Sequence, residues 1–484
     1  MRNVTEGFRT VYAAFDETND LDAFVPELWA NESIATLLEN MVIGSVVNKN
    51  YSSSIASFGD VVNANKPGTF TAKRKGATDD VTIQDAEADN VPVKLDQHFH
   101  TSFVIRDEEN AKSFTELTAK YLTPAIVSIA QAIDKVLLGQ HVNYMRTNNS
   151  NIAGHLGLMS STNAKDYMLD TREVMNANKV PMAGRYMFLN TSSETQILKD
   201  DDFTAAERVG DEGTALREAS LGRKLGFDTF LCQNMSSITN ANTIAGTLEL
   251  ESAMLAGATS AVVTNASATL FSVGDVILIG TDATPQLVTS VTLDTSADTD
   301  TLVISPGVKV AQDVDAVVSG AGVAYNNTAR AAGYSGSITI DGLTAALPVG
   351  QQIRIQPGHE TAVTEASGDY YTIISVDTAY TSNTIVVSLD RPLDTALIDN
   401  AMVSLYPSGD YNFAMTADAI TLVSRPMATP ARGLGALSAI AEYDDMAIRV
   451  TITYNGTGQG TLVTVDVLCG VAVLDDDLGA VMLG

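Results

Sequence analysis

Residues 257–355 carry one pattern written twice. Gly257–Thr264, followed by Phe271, Val273, Gly274 and Ile279, matches Gly333–Ile340, followed by Leu347, Val349, Gly350 and Ile355, at a constant offset of 76. Downstream, Thr301–Ser305 matches Thr384–Ser388, and Ala316–Val318 matches Ala401–Val403. Alternating Val, Ile and Thr with Gly and Asp between the runs is the signature of short strands joined by turns. Such a pattern at fixed spacing means one supersecondary unit used twice. Chance agreement between alternating strands is the competing explanation; the ungapped opening and the shared Val-Gly turn favour duplication. The chain is therefore expected to hold two tandem all-β units, 257–324 and 333–405, within a β segment running from 245 to 405.

The flanks read differently. Phe114, Leu117, Tyr121, Leu122, Ala125, Ile126, Ile129, Ile133, Val136 and Leu137 form one apolar stripe at helical spacing. It predicts a long helix over 110–140, kinked where Pro124 removes a backbone donor. Lys165–Ala177 reads as a helix, Tyr186–Leu189 as a buried strand, and Ser192–Glu194 as the start of another helix. Past 405, Ala419–Val423 is a strand, and 447–454 and 461–474 are strands around the hairpin turn Asn455–Gly458. The fold class is α+β: a mixed body interrupted by an all-β insertion and then completed.

Ahead of the body, Val4, Phe8, Val11, Tyr12 and Phe15 lie at helical spacing, and Ile34, Leu37, Leu38, Met41 and Val42 form a second stripe. Between them sits Phe24–Trp29, with the only tryptophan. Short separated helices bury their apolar faces best against another body, which is either their own subunit or a neighbour. Phe8, Tyr12 and Trp29 are thus candidate subunit contacts. Residues 46–105 suggest an extended hairpin. Thr69–Lys73 and Val91–Ile105 alternate as strands, and the tip exposes the basic run Lys73, Arg74 and Lys75. These three are further contact candidates, since a neighbouring copy offers many acidic partners; a solvated loop is the plainer reading.

The chain of 484 residues has a formal net charge of −29, from 58 Asp and Glu against 29 Lys and Arg. Such a surface repels nucleic acid. From 226 to 424 only Lys309, Arg330, Arg354 and Arg391 are basic, against twenty acids, so about half of the net charge lies there. Cys232 and Cys469 allow one disulfide and no framework. His98 and His100 share a strand face but read as two polar side chains and not as a metal chelate. Asp475–Asp477 reads as a solvated turn, and Asp294–Asp300 lacks the closing glutamate of a calcium loop. No phosphate loop, nucleophile elbow, zinc-protease or dinucleotide motif is present. No catalytic, cofactor-binding or metal residue is assigned, and an enzyme is not expected. No apolar run is long enough to span a bilayer, and the acidic N-terminus does not read as a signal peptide.

Several segments, in order, resemble the major capsid proteins of tailed bacteriophages and herpesviruses. Val25–Trp29 looks like the arm of such coat proteins. Tyr121–Ala125 followed by Ile133–Leu138 is similar to their spine helix. Leu221–Asp228 resembles the approach to their axial domain, Phe413–Leu422 their return strand, and Asp466–Val471 their last strand. An inserted β domain is similar to coat proteins of short-tailed Salmonella phages, from which this chain departs by holding two units. The resemblance implies an N-terminal arm at 1–45, an extended loop at 46–105, and a peripheral domain with spine helix and the first part of an axial domain at 106–244. It further implies an insertion at 245–405 and the rest of the axial and peripheral domains at 406–484. It implies self-assembly into hexamers and pentamers of an icosahedral shell around packaged double-stranded DNA. Scaffolding, portal and decoration proteins would be partners, with neither specific nucleic-acid binding nor a membrane, and with assembly in the host cytoplasm. Two other classes stand beside it. One is a secreted or surface β-repeat binding module, suggested by 245–405 alone. The other is a carbohydrate-active enzyme, which needs a paired-carboxylate cleft that the sequence does not display.

Overall fold

The computed structural model describes residues 24–49, 59–66, 72, 74–75, 89–106, 121–147, 151–205, 218–219, 221–239, 241–242, 248–264, 271, 273, 275–294, 299–320, 323–356, 369–430, 436–455 and 460–484. Strands predominate among them.

Helix α1 (Phe24–Asn40) joins Phe24–Trp29 to the stripe that follows as far as Leu38, with Met41 and Val42 beyond its end. Pro26 falls in its first turn, where a missing N–H costs no hydrogen bond. Strand β1 (Val61–Lys66) pairs antiparallel with β2 (Asp89–Lys94), forming the base of a hairpin. Val91–Ile105 is not one strand. The chain bends at Leu95 and Asp96, so β2 stays with β1 while β3 (Gln97–Arg106) enters another sheet. The bend lies on Gly470, where a Cβ would come within 2.4 Å of the Lys94 carbonyl oxygen.

Helix α2 (Thr123–Gly139) buries Ile126, Ile129, Ala130, Ile133 and Leu137, the i, i+3, i+4 stripe read from the sequence. Pro124 lies in the first turn of this α-helical span, and Tyr121 and Leu122 ahead of it are π-helical; residues 110–120, on which the predicted kink also depends, are outside those described. Next come α3 (His141–Thr147), β4 (Ile152–Gly154), α4 (Ala164–Ala177), β5 (Arg185–Leu189), α5 (Thr191–Lys199), α6 (Asp201–Thr204), β6 (Arg223–Lys224), β7 (Phe227–Leu231) and β8 (Ser237–Ile238).

Two β units follow. The first comprises β9 (Leu248–Glu249), β10 (Ser260–Thr264), β11 (Val276–Ile279), β12 (Asp282–Asp294), β13 (Thr299–Ser305) and β14 (Val317–Gly320). The second comprises β15 (Val323–Asn326), β16 (Ile338–Asp341), β17 (Gln352–Gln356), β18 (Asp369–Thr381), β19 (Thr384–Leu389) and β20 (Met402–Leu405). Their neighbour orders are β10-β13-β12-β11-β14-β9 and β16-β19-β18-β17-β20-β15, the same order strand for strand. The second unit closes into a barrel; in the first, the Leu250–Val263 bridge joins the chain beside β9 to β10. The likeness reaches single bonds. Gly257 N donates to Val308 O as Gly333 N donates to Leu393 O, both at 2.7 Å. The bridges Met254–Gln312 and Arg330–Leu397 are likewise equivalent. Each unit has its own apolar centre, around Ile277, Val288 and Leu302 in one and Ile353, Ile373 and Val387 in the other.

The body resumes with β21 (Gly409–Thr416), β22 (Ile420–Arg425), β23 (Ala436–Tyr443), β24 (Met446–Asn455), β25 (Gly460–Val473) and β26 (Gly479–Leu483). One sheet runs β4-β26-β21-β5-β7-β6, with β8 on β21; the other runs β22-β25-β24-β23, with β3 on β25. The ladders pair Ile238 with Gly409 and Ser237 with Asp410. The chain thus leaves the body and re-enters it on adjacent strands. A single core joins α1, α2 and both sheets, with Ile126, Phe188, Tyr411, Leu422 and Val465 all buried in it.

Candidate functional site

The residues singled out from the sequence end up in three different situations. Phe8, Tyr12 and Lys73 lie outside the described residues. Arg74 and Lys75 are exposed, in the connection between β1 and β2. Trp29 is only 4% exposed and stacks on Phe103, with ring centroids 6.3 Å apart. Within its own chain the indole is thus packed against β3.

Histidine and carboxylate clusters occur, and each serves as a structural tie. Asp466 on β25 accepts from Arg449 Nε at 3.0 Å and from Arg449 Nη2, while His98 Nε2 lies 3.3 Å away. This fork joins β3, β24 and β25. His98 and His100 stand 6.2 Å apart between ring centroids. Among the described residues no group of three or more His, Cys, Asp or Glu is arranged to hold a metal ion.

Asp282 of the first unit is buried and accepts from Thr284 N at 3.0 Å and Lys309 N at 2.5 Å. His155 lies 3.5 Å from it. Burial alone would raise the Asp282 carboxyl; hydrogen bonds from His155, Thr284 and Lys309 outweigh it and hold the group below its ordinary range. His155 Nδ1 also meets Thr284 Oγ1 at 2.8 Å, and Leu156 N donates to Ala283 O at 2.9 Å. The cluster docks the first unit on the loop after β4.

The second unit docks on the end of α2. His141 is fully buried, and its Nδ1 donates to Leu138 O at 2.5 Å. Its Nε2 is therefore the acceptor of the Gln352 side-chain amide at 2.8 Å. Thr372 Oγ1 donates to Gly139 O at 3.4 Å, and Thr372 N to Asp390 Oδ1 at 2.8 Å. Between the units, buried Arg354 lies 3.7 Å from Asp275, which also accepts from Ser404.

Both cysteines are free and buried, not bridged. Burial pushes their thiols up, to about 11 for Cys232 and about 12 for Cys469, so neither is a thiolate nucleophile at neutral pH. Grooves of about 440 and 330 Å³ beside α5 and the second unit are lined mainly by amides and hydroxyls such as Asn190, Ser192, Gln233 and Ser237. They present no nucleophile with a base. No helix among the described residues is long and apolar enough to cross a membrane. Large apolar side chains are exposed along the two long-stranded elements of the body: Val61 on β1, Val104 on β3, Leu437 and Tyr443 on β23 and Tyr454 on β24. Sequence reasoning did not single these out, because a strand's pattern does not say which face a neighbour covers.

No protein-family model matches the chain, and no curated protein matches it. Solved structures similar to it include one of Mycobacterium phage Che8, at 12% identity with a TM-score of 0.41, covering 91% of this chain and 90% of that one. The capsid of cyanophage P-SCSP1u is similar at 9% identity and a TM-score of 0.40, over 90% of both chains. The mature capsid of bacteriophage PhiM1 is similar at 9% identity and a TM-score of 0.38, over 90% of this chain and 87% of that one.

Proposed function

We propose that this chain is the major capsid protein of a tailed bacteriophage, a shell subunit that self-assembles as hexamers and pentamers into an icosahedral capsid around packaged double-stranded DNA. The observation that carries the reading is the interrupted body. A helix-backed pair of sheets is left at Ile238 and resumed at Gly409, on residues that pair directly. It is finished by a long hairpin whose 14-residue β25 also carries the 10-residue β3. Arm, hairpin, helix, sheet, inserted units and final long hairpin follow in the order that the sequence resemblance implies. On this reading α2 is the spine helix of a peripheral domain built with the five-stranded sheet. The seven-stranded sheet is the axial domain, and β1 and β2 are the root of the extended loop. The clusters that resemble catalytic groups are all engaged in joining elements, which supports a structural role over an enzymatic one.

Scaffolding, portal and decoration proteins are the partners this role calls for, and the host cytoplasm is where assembly would run. The acidic insertion belongs on the exterior, because its carboxylates would repel packaged phosphates from inside. Whether a doubled insertion has the role of the single one in short-tailed Salmonella phages is a matter for its deletion. The test of the function is expression with a scaffolding protein, followed by sedimentation and electron microscopy. Closed shells or capsomer rings are expected. A chain that stays monomeric under all conditions overturns the proposal.

A further inference from the structure

The two β units repeat one strand order, so each serves as a control for the other. In the first, Leu255 is 79% exposed, Val310 43% and Val314 50%. All three lie at one end of the unit. Met254 and Gln312 exchange backbone hydrogen bonds of 2.9 and 2.8 Å. Leu255 follows Met254, and Val310 and Val314 stand two residues to either side of Gln312. The exposed acids Glu251, Asp313 and Asp315 rim them, with Asp315 N donating to Leu250 O at 2.9 Å. Lys309, beside Val310, has Asp170 and Asp282 as its charged neighbours. The second unit shows that the fold asks for none of this. The matching bonds of Gly257 and Gly333, and the left-handed backbone of Asp315 (φ 63°) and Asn400 (φ 60°), fix the equivalent positions. In place of Leu255, Val310 and Val314 stand Ala331, Thr395 and Asp399. In place of Glu251, Asp313 and Asp315 stand Asn327, Ile398 and Asn400. These six are exposed as well, so the difference does not come from what covers each unit. An exposed apolar patch rimmed by polar side chains marks a contact surface.

We infer that this end of the first unit receives the connection between β1 and β2 of a second copy of this chain, through its basic run Lys73, Arg74 and Lys75. The inference rests on the proposed self-assembly. That run is the chain's only one of three basic residues, and an aromatic residue, Phe70, shortly precedes it. An apolar residue with three cations is the complement of an apolar patch with three acids, in charge and in number. Arg74 and Lys75 are exposed on their own subunit and thus open to a neighbour. The six equivalent positions of the second unit, with Asp399 as their one acid, offer no such match.

The test reads subunit melting temperature and, by sedimentation, the subunit concentration at which assembly sets in. The tip variant K73E/R74E/K75E and the rim variant E251K/D313K/D315K should each raise that concentration by about tenfold or more, because like charges then meet across the contact. Their melting temperatures should stay at the wild-type value. L255A/V310T/V314D, which gives the first unit the side chains of the second, should weaken assembly likewise. All six charge reversals in one chain should restore assembly. A 1:1 mixture of tip and rim variants should also recover it, since each supplies the charge that the other lacks. A six-fold variant as weak as its parents overturns the inference. Recovery in that chain but not in the mixture places the contact inside one subunit and rejects the second copy. A rim variant that weakens assembly while the tip variant does not makes the occupant another protein, and also overturns it. So does a rim variant that melts well below wild type, which gives the acids an internal role. A wild type that never assembles overturns the proposed function and this contact with it.

Discussion

His141 Nε2 accepts the side-chain amide of Gln352 at 2.8 Å, across the boundary between the start of α3 and the second β unit. Both residues are buried. The imidazole is held neutral by burial, although the bond its other nitrogen donates to Leu138 O pulls the opposite way. Burial lowers its pKa from 6.5 to about 4.

Acidification should therefore loosen this boundary. A folded pKa below the unfolded one gives stability that is complete above about pH 6.5 and is lost as pH falls towards 4. The full loss is about 3 kcal/mol. H141Q removes the titration, so wild type should lose stability relative to H141Q between pH 7 and 4 in denaturant unfolding. Parallel profiles for the two would refute this.

Asp134 should act in the opposite sense over nearly the same window. It is buried in α2, and its oxygens accept from Val42 N at 2.9 Å and Gly44 N at 3.2 Å. Burial raises its pKa from 3.8 to about 6, against those hydrogen bonds. A raised folded pKa means stability that is present below pH 4 and lost as pH rises through 6, again by about 3 kcal/mol. D134N should flatten this trend, so wild type should gain on D134N as the solution is acidified from pH 7 to 4. No relative gain would show that the carboxyl titrates normally.

Asp275 and Arg354 tie the two β units together. Removing the acid alone takes a counter-charge from a buried guanidinium, and D275A should cost about 3–5 kcal/mol. Replacing both, as D275A/R354M, should restore most of that loss, since an apolar pair leaves no charge uncompensated. A double variant as weak as the single one would mean that Arg354 has another essential partner.

The paired residues Ile238 and Gly409 predict that 239–408 can be replaced by a short glycine linker with the body still folding. The excised segment 245–405 should also fold, with one cooperative β-type transition. Each unit alone, at under about 85 residues, has too small a core for much stability, so separate units should be markedly weaker than the pair. Their stability also draws on the body, since Val276, Tyr370 and Tyr406 pack into its core. Circular dichroism melts decide it; an unfolded 245–405 segment would sink the prediction.

Reversing Lys73, Arg74 and Lys75 to Glu should weaken assembly and leave the subunit's melting temperature unchanged, because Arg74 and Lys75 are exposed. Normal shells from that variant would refute a contact at the hairpin tip.

Periodicity carried much of this fold, and its limits are physical. The stripe of α2 and the strands 447–454 and 461–474 are where spacing puts them. The repeat shows what a period of two leaves open. The offset of 76 holds between Gly257 and Gly333, and 85 holds between Ala316 and Ala401. Leu302, however, stands opposite Val291 as Val387 stands opposite Val376, which makes Thr301 the equivalent of Val386. Pairing Thr301 with Thr384 was thus two residues out. A slip of two keeps every side chain on its face, so alternation alone does not detect it. His141, Asp134 and Asp275 escaped notice for another reason. A single polar residue in a strand or helix carries no spacing signal, and its meaning arises only from what folding brings against it. Trp29 is the converse case, a conspicuous residue whose partner, Phe103, lies far along the chain.

The pairing of Ile238 with Gly409 also orders events during synthesis. β21 is a middle strand of the seven-stranded sheet, flanked by β26 and β5, and the ribosome makes it only after both β units. The five-stranded sheet waits longer still, because all its strands except β3 come later. The two units, whose strand ladders lie within themselves, therefore leave the tunnel while the body is unfinished. β26, which joins β21 to β4, follows later than both units as well.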